Sequence, residues 1–227
     1  MIKGVLFDFN GTLFYDSDKH VLAFQRFQKK HGLRVMTDVE VATLTFGRTN
    51  PDVFDMLYEG KASPEELHAY ALEKEADYRQ ICLESPKTFK LADGVREMFD
   101  WLWEKGIPFN IATGSGIENV EFYYEEFGLG RWLGLDTIVY NDNTLRGKPA
   151  PDFYIEAAKR IGLKPQECII FEDALSGFVA ARAAGAGAIY GLLAPDGSPL
   201  NTGDVSIDGE ISDFTAYKEI FYKHGLK

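Results

Sequence analysis

The chain has 227 residues, of which 45% are hydrophobic and 26% are charged, a composition that is ordinary for a globular protein. Its net charge of −11 argues against a nucleic-acid partner, because binding a phosphate backbone needs a basic face that releases counterions. No apolar run reaches the length of a transmembrane helix, and the amino terminus lacks a signal-peptide pattern. We therefore expect a cytoplasmic monomer that binds neither nucleic acid nor membrane.

Short apolar runs alternate with helical patterns along most of the chain, which is typical of an α/β fold with a doubly wound parallel sheet. The apolar runs predict five strands, at residues 5–7, 107–112, 137–140, 168–171 and 188–191. The patterns between them predict helices, among them one capped by Asp93 and one opened by Pro151. Cys82 and Cys168 lack metal-ligand spacing and are expected to be buried, reduced thiols.

One stretch interrupts this alternation, because residues 15–86 show helical patterns and no convincing strand. Within it, Ser63, Pro64 and Glu66 provide an N-cap, a first-turn proline and a capping-box glutamate for a helix that extends to about Glu84. We predict a catalytic core from residues 1–14 and 87–227, with residues 15–86 inserted as an all-helical cap whose two connections form a hinge.

Polar side chains follow several of the predicted strands, where open α/β sheets bind their ligands. Asp8 follows the first strand, residues 113–116 follow the second, Lys148 lies in a later loop, and Glu172 and Asp173 end the strand at 168–171. Each residue alone has an ordinary structural explanation as a turn, a helix cap or a solvated lysine. Together they form the set that metal-assisted phosphoryl transfer needs.

The chemistry of these groups suggests a role for each. Asp8 and Asp173 can hold a hard cation through carboxylate oxygens. Lys148 and the cation can neutralise charge on phosphoryl oxygens, and the Thr113 hydroxyl and the glycine-rich backbone amides after it can bind them.

Four segments carry a resemblance to a known family. DFNGTL at 8–13, IATGS at 111–115, RGKPAPD at 146–152 and FEDALSG at 171–177 resemble, in order, the four motifs of the haloacid dehalogenase (HAD) superfamily. The similarity is closest to the beta-phosphoglucomutase-like branch, which has a four-helix cap. It implies a HAD-like Rossmannoid core with an inserted all-helical cap domain.

The resemblance also implies roles for the motif residues. Asp8 would attack phosphorus to form an aspartyl-phosphate, while Thr113 and Lys148, with Gly114 and Ser115 beside them, would bind the phosphorylated substrate. The implied magnesium site consists of Asp8, the backbone carbonyl of Asn10, Glu172 and Asp173.

Asn10 departs from the pattern of the family's phosphatases. Most of them have a second aspartate there, which protonates the leaving group and later activates water, and an amide cannot exchange a proton in this way. Because general acid–base catalysis contributes about 10²–10⁴-fold, this residue could decide what the enzyme does. In the cap, His20, Arg48 and Lys74 resemble substrate-contacting positions of the sugar-phosphate branch.

We therefore expect a magnesium-dependent phosphatase that hydrolyses a small phosphorylated metabolite, with a sugar phosphate as the favoured substrate class. A beta-phosphoglucomutase-like hexose-phosphate mutase is one alternative, which Asn10 weakens. A phosphonate hydrolase is another and would need a cap lysine that forms a Schiff base, for which Lys29, Lys30 and Lys74 are candidates. The third is a non-catalytic protein that binds a phosphorylated metabolite.

Overall fold

The computed structural model describes residues 1–45 and 49–227. The chain divides into two compact units, one formed by Met1–Tyr15 with Lys90–Lys227 and the other by Asp16–Phe89. These bounds differ from the predicted 15–86 insertion by a few residues. Tyr15 belongs to the first unit, where its hydroxyl donates to the carbonyl of Ser212 at 2.7 Å.

The first unit is built on a parallel sheet of five strands in the order β2-β1-β3-β4-β5. Each neighbouring pair runs parallel, which requires a crossover connection between successive strands. The strands are β1 (Gly4–Phe7), β2 (Phe109–Ile111), β3 (Cys168–Glu172), β4 (Ala188–Leu192) and β5 (Gly209–Ile211).

Helices cover both faces of this sheet, as the doubly wound fold predicts. In this unit they are α5 (Val95–Glu104), α6 (Ile117–Glu126), α7 (Asp152–Arg160), α8 (Leu175–Ala184) and α9 (Tyr217–Lys223). Because side chains alternate along a strand, Leu6 and Ile170 join the apolar cluster with α7 and α8. Phe7 and Phe171 stack on the other face, with ring centroids 5.4 Å apart, and Phe7 also contacts Phe99 of α5.

Two sequence predictions in this unit are wrong. Residues 137–140 do not form a strand: Leu135–Thr137 is a short 3-10 helix, and Val139 makes a single bridge to Ala112 beside β2. The helix after Asp93 is capped by Gly94 and not by the aspartate, whose carboxylate accepts from Lys90 instead. Local apolar content predicted a full strand at 137–140, whereas tertiary pairing extends over one residue there.

The edge strand β5 escaped prediction because Gly209–Ile211 is short and only partly buried, so it lacks a long apolar run. An edge strand exposes one side to solvent and therefore has a weak sequence signal.

The second unit is helical over its described residues. It contains α1 (Ser17–Lys30), α2 (Asp38–Thr45), α3 (Asn50–Leu57) and α4 (Pro64–Glu84). The predicted capping box at Ser63 and Glu66 is present, and α4 ends at Glu84 as expected. Phe27 and Phe54 pack with their ring centroids 4.6 Å apart in the apolar cluster of this unit.

Two further expectations concern the whole chain. Cys82 and Cys168 are free and buried, as predicted. Among the helices within residues 1–45 and 49–227, none is both long and apolar enough to cross a membrane.

Candidate functional site

Asp8 directly follows β1, which lies between β2 and β3, and a tight turn comes after it at the carboxyl edge of the sheet. Its backbone N–H donates to the carbonyl of Phe171 on β3 at 3.0 Å, which extends the β1–β3 pairing by one residue. The carbonyl of Phe9 then accepts from the N–H groups of Leu13 and Phe14, at 2.8 and 3.0 Å. The carboxylate of Asp8, just before this turn, is buried.

Lys148 reaches this carboxylate from the loop before α7. Its ammonium lies 2.5 Å from Asp8 Oδ1 and 2.5 Å from Glu172 Oε1, so it bridges the ends of β1 and β3. Arg146 makes a two-pronged ion pair with Asp152 in the first turn of α7, with Nη2–Oδ1 at 2.7 Å and Nε–Oδ2 at 3.0 Å. This pair closes the loop that carries Lys148.

Glu172 ends β3 as a fully buried carboxylate with donors on both oxygens. Besides Lys148, the Tyr154 hydroxyl donates to Oε1 at 2.7 Å. The backbone N–H groups of Asp173 and Ala174 donate to Oε2, at 2.9 and 3.1 Å. Gly177 leaves room for this group, because a Cβ placed there would lie 1.7 Å from Glu172 Oε1.

Asp173 follows β3 and contacts the turn that comes after Asp8. The Thr12 hydroxyl donates to Asp173 Oδ1 at 3.2 Å. Gly11 has a φ of +79°, and a Cβ at this position would lie 2.0 Å from Asp173 Oδ2. A glycine therefore both accepts the left-handed backbone and allows the carboxylate to approach the turn.

Asp8, Glu172 and Asp173 form an acidic cluster in which one oxygen from each carboxylate lies within 4.8 Å of the other two. One ammonium, that of Lys148, contacts two of these three carboxylates, so the fully ionised cluster keeps two negative charges. Carboxylate oxygens are the ligands that Mg²⁺ prefers in proteins. The donor set and its surplus charge therefore fit a divalent cation.

Burial and the neighbouring charges both shift the pKa values of these groups. Burial raises the pKa of Asp8 from its ordinary value of 3.8 to about 7, with Lys148 opposing the shift and Glu172 adding to it. Burial, then Glu172 and Asp8, raise the pKa of Asp173 well above its usual range. Burial by itself would lower the pKa of Lys148, but the two carboxylates outweigh it and raise this pKa instead.

Asn10 is surrounded by hydroxyl groups of the neighbouring segments. Its Oδ1 accepts from the hydroxyls of Thr113 and Ser115, at 3.2 and 2.8 Å. Its Nδ2 donates to the Tyr123 hydroxyl of α6 at 2.9 Å. The structure thus brings Asn10, Thr113 and Ser115 together, while Gly114 beside them is exposed.

Two of the three predicted cap residues meet within the helical unit. The ammonium of the buried Lys74 lies 2.8 Å from His20 Nδ1 and 2.9 Å from Glu75 Oε1. The His20 ring stacks on Tyr78 with centroids 4.1 Å apart, and its Nε2 lies 3.3 Å from Asp16 Oδ2. The third residue, Arg48, lies outside the described residues.

Three residues make contacts in the site that the sequence does not reveal. Tyr123 and Tyr154 lie on the inner stripes of their helices, a pattern that predicts packing and gives no sign that a hydroxyl reaches Asn10 or Glu172. The remaining one, Gly177, closes the fourth motif, and its need for space around Glu172 requires the three-dimensional structure.

Comparison with known proteins decides the family. The family model described as haloacid dehalogenase-like hydrolase matches residues 2–185, which is most of the chain. The chain is a haloacid dehalogenase-like hydrolase. Its motifs, parallel sheet and inserted helices agree with that membership, as the resemblance in the sequence implied.

Curated HAD relatives include two enzymes from Escherichia coli K12. The chain is 30% identical to fructose-1-phosphate phosphatase YqaB over 82% of its own length and 94% of the relative's. It is 29% identical to hexitol phosphatase A over 89% of each chain.

Solved HAD structures show the same architecture. A family IA, variant 3 HAD hydrolase from Entamoeba histolytica is 34% identical, with a TM-score of 0.86 and 95% of each chain covered. A CbbY aspartate-to-asparagine mutant from Rhodobacter sphaeroides, in complex with xylulose-1,5-bisphosphate, has a TM-score of 0.78 at 21% identity, covering 94% of this chain and 95% of that one. The second similarity shows the fold alone.

The raised pKa values predict how pH and Mg²⁺ change the stability of this HAD protein. Because folded Asp8 holds its proton up to about pH 7 while the unfolded group loses it near 3.8, the metal-free protein should lose stability as pH rises across this window. At pH 7.5, Mg²⁺ at about a hundredfold excess over its Kd should raise Tm by about 5 °C or more. Differential scanning fluorimetry measures both effects.

The matched variants are Asp173→Asn, in the acidic cluster, and Asp204→Asn, on an exposed loop. We expect Asp173→Asn to remove most of the Mg²⁺-induced rise and Asp204→Asn to retain it. Equal responses of the two variants would contradict the assignment of the metal to this cluster.

Proposed function

We propose that the chain is a magnesium-dependent phosphatase that hydrolyses a small sugar phosphate through an aspartyl-phosphate on Asp8. The observation that carries this proposal is the position of Asp8 at the end of β1. There its carboxylate contacts Lys148 and lies within the acidic cluster with Asp173. A nucleophile, a fixed ammonium and a cation-binding set meet at one point, as phosphoryl transfer requires.

The names of the relatives support the substrate class. Two of them are a fructose-1-phosphate phosphatase and a hexitol phosphatase, and a third, from Thermotoga maritima, is called a phosphorylated carbohydrates phosphatase, at 24% identity. In the helical unit, Lys74 and His20 lie 2.8 Å apart, and we propose that this pair contacts the sugar. We propose that Arg48 joins them as a substrate-binding residue.

The first chemical step forms a bond between an Asp8 carboxylate oxygen and phosphorus while the bond from phosphorus to the ester oxygen breaks. Lys148 binds the phosphoryl oxygens, and the Thr113 hydroxyl orients them. Asp8, Asp173, the carbonyl of Asn10 and Glu172 would hold Mg²⁺, which supplies charge neutralisation at the phosphoryl group when it is bound. Water then attacks phosphorus and releases Asp8 and inorganic phosphate.

Asn10 limits both steps, because its amide neither protonates the departing alkoxide nor takes a proton from water. Its hydrogen bonds with Thr113, Ser115 and Tyr123 give it a structural role instead, in which it holds the hydroxyls of the second motif. We therefore expect slow turnover of alkyl esters and a long-lived phosphoenzyme. His20 is the candidate in the helical unit for a substitute proton donor.

The contacts of the candidate lysines disfavour phosphonate hydrolysis. A Schiff-base lysine needs a lowered pKa so that its amine is neutral. Lys30 is paired with Asp77, and this hydrogen bond raises the pKa of Lys30. Lys74 donates to Glu75 as a buried ammonium, and Lys29 is exposed to solvent.

A phosphatase screen with and without Mg²⁺ tests the proposal. The panel contains fructose 1-phosphate, hexitol phosphates, acetyl phosphate and p-nitrophenyl phosphate. We expect Mg²⁺-dependent release of phosphate, and loss of at least about 10³-fold in Asp8→Asn because the covalent route is closed. Asp204→Asn serves as the control for the loss of one carboxylate. Activity in Asp8→Asn within tenfold of the parent would rule out the covalent mechanism.

The basicity of the leaving group determines how much an acid at position 10 should increase turnover. Acetyl and aryl phosphates release weak bases and should react well with Asn10 in place, whereas sugar phosphates should react slowly. Asn10→Asp should raise the turnover of sugar phosphates by roughly 10²-fold and change that of acetyl phosphate far less. Steady-state assays of both substrates provide the comparison.

The control variant is Asn201→Asp, which adds the same charge at an exposed position. Equal gains on both substrates in Asn10→Asp would contradict the role assigned to Asn10. If His20→Ala abolishes the parent's sugar-phosphate activity while Asn10→Asp leaves it unchanged, the proton comes from His20.

A further inference from the structure

Tyr154 of α7 is fully buried and touches two charged groups of the site at once. Its hydroxyl donates to Glu172 Oε1 at 2.7 Å, and the Lys148 ammonium lies 4.9 Å from the centroid of its ring. Burial, followed by the charge of Glu172, raises the pKa of this phenol well above its ordinary value, so the hydroxyl keeps its proton and donates. The tyrosine therefore contacts both partners of the Lys148–Glu172 ion pair.

The hydroxyl of Tyr154 and the ammonium of Lys148 share one carboxylate oxygen. Both donate to Glu172 Oε1, while Oε2 is occupied by two backbone N–H groups. The same ammonium also contacts Asp8 Oδ1, at the same distance of 2.5 Å. A buried carboxylate needs several donors. If Glu172 loses one of them, its attraction for the Lys148 ammonium therefore becomes stronger.

We propose that Tyr154 is a positioning residue of the phosphoryl site, whose hydroxyl shares the charge of Glu172 and thereby keeps Lys148 at Asp8. This inference rests on the proposed function in one respect, namely that Lys148 binds phosphoryl oxygens. The ring of Tyr154 also stabilises the Lys148 ammonium through a cation–π contact, which a phenylalanine would preserve.

The proposal predicts that removing the Tyr154 hydroxyl has different effects on the binding of phosphate and of Mg²⁺. Without the hydroxyl, Glu172 Oε1 draws Lys148 towards itself and away from the phosphoryl position, which weakens phosphate binding. Glu172 also becomes less neutralised beside Asp8 and Asp173, so Mg²⁺ binding is retained or strengthened. If the role of Tyr154 were purely structural, loss of the hydroxyl would instead weaken the binding of both ligands, because a disordered site loses all its contacts.

Isothermal titration calorimetry of Tyr154→Phe with Mg²⁺ alone, and with inorganic phosphate at saturating Mg²⁺, tests this split. The expected result is a loss of about tenfold in phosphate affinity, the effect of one hydrogen bond to a charged group, with the Mg²⁺ affinity unchanged or higher. Tyr190→Phe is the matched control, since this buried tyrosine of β4 bonds to His224. It should change neither affinity.

A double variant separates action through Glu172 from a direct effect. In a Glu172→Gln background, the neutral side chain no longer competes for Lys148, so adding Tyr154→Phe should change phosphate affinity by less than about twofold. An undiminished effect in that background, a parallel loss of Mg²⁺ and phosphate binding, unchanged phosphate affinity, or a Tyr154→Phe protein that does not fold would overturn the proposal. A parent protein that binds neither ligand would overturn the proposed function as well.

Discussion

The ion pair of Lys148 with Asp8 and Glu172 is the interaction on which the site depends. Two buried carboxylates at the ends of adjacent parallel strands repel each other, and one ammonium at 2.5 Å from both offsets part of that repulsion. The sheet brings the carboxylates together, and the Arg146–Asp152 pair holds the loop that brings the lysine. The charge left over creates the demand for a cation, while burial raises the pKa of Asp8 against the opposing effect of Lys148.

A different constraint acts on Asn10, two residues from Asp8. Hydroxyl groups from two segments satisfy its amide, at a position where the motif resemblance implies an acid in most phosphatases of the family. Under the proposed function, the same side chain therefore stabilises the phosphoryl pocket and withholds a proton from the chemistry. This combination favours a site that accepts a phosphoryl group readily and releases it slowly, with substrate preference set by the basicity of the leaving group.

The residues at strand ends could be predicted from the sequence because the parallel topology alone brings them together. Asp8 and Asp173 follow adjacent parallel strands, whereas Lys148 reaches Asp8 from the loop before α7. The contact of the Tyr154 hydroxyl with Glu172 could not be predicted. The apolar periodicity of a helix shows which way a side chain faces, but not which atom its hydroxyl reaches. The strand predicted at residues 137–140 is absent for a similar reason. The apolar residues are visible in the sequence, but only the tertiary structure shows that a single bridge, between Val139 and Ala112, forms there.

The central claim is that Asp8 carries a phosphoryl group that Asn10 cannot help to remove, and intact-mass spectrometry tests it most directly. The protein would be mixed with acetyl phosphate and Mg²⁺, quenched in acid and measured at successive times, with Asn10→Asp in parallel. The account predicts a species heavier by one phosphoryl group, located on the peptide that contains Asp8, which decays slowly in the parent and rapidly in Asn10→Asp. Steady hydrolysis without that species, or the same species in Asp8→Asn, would contradict it.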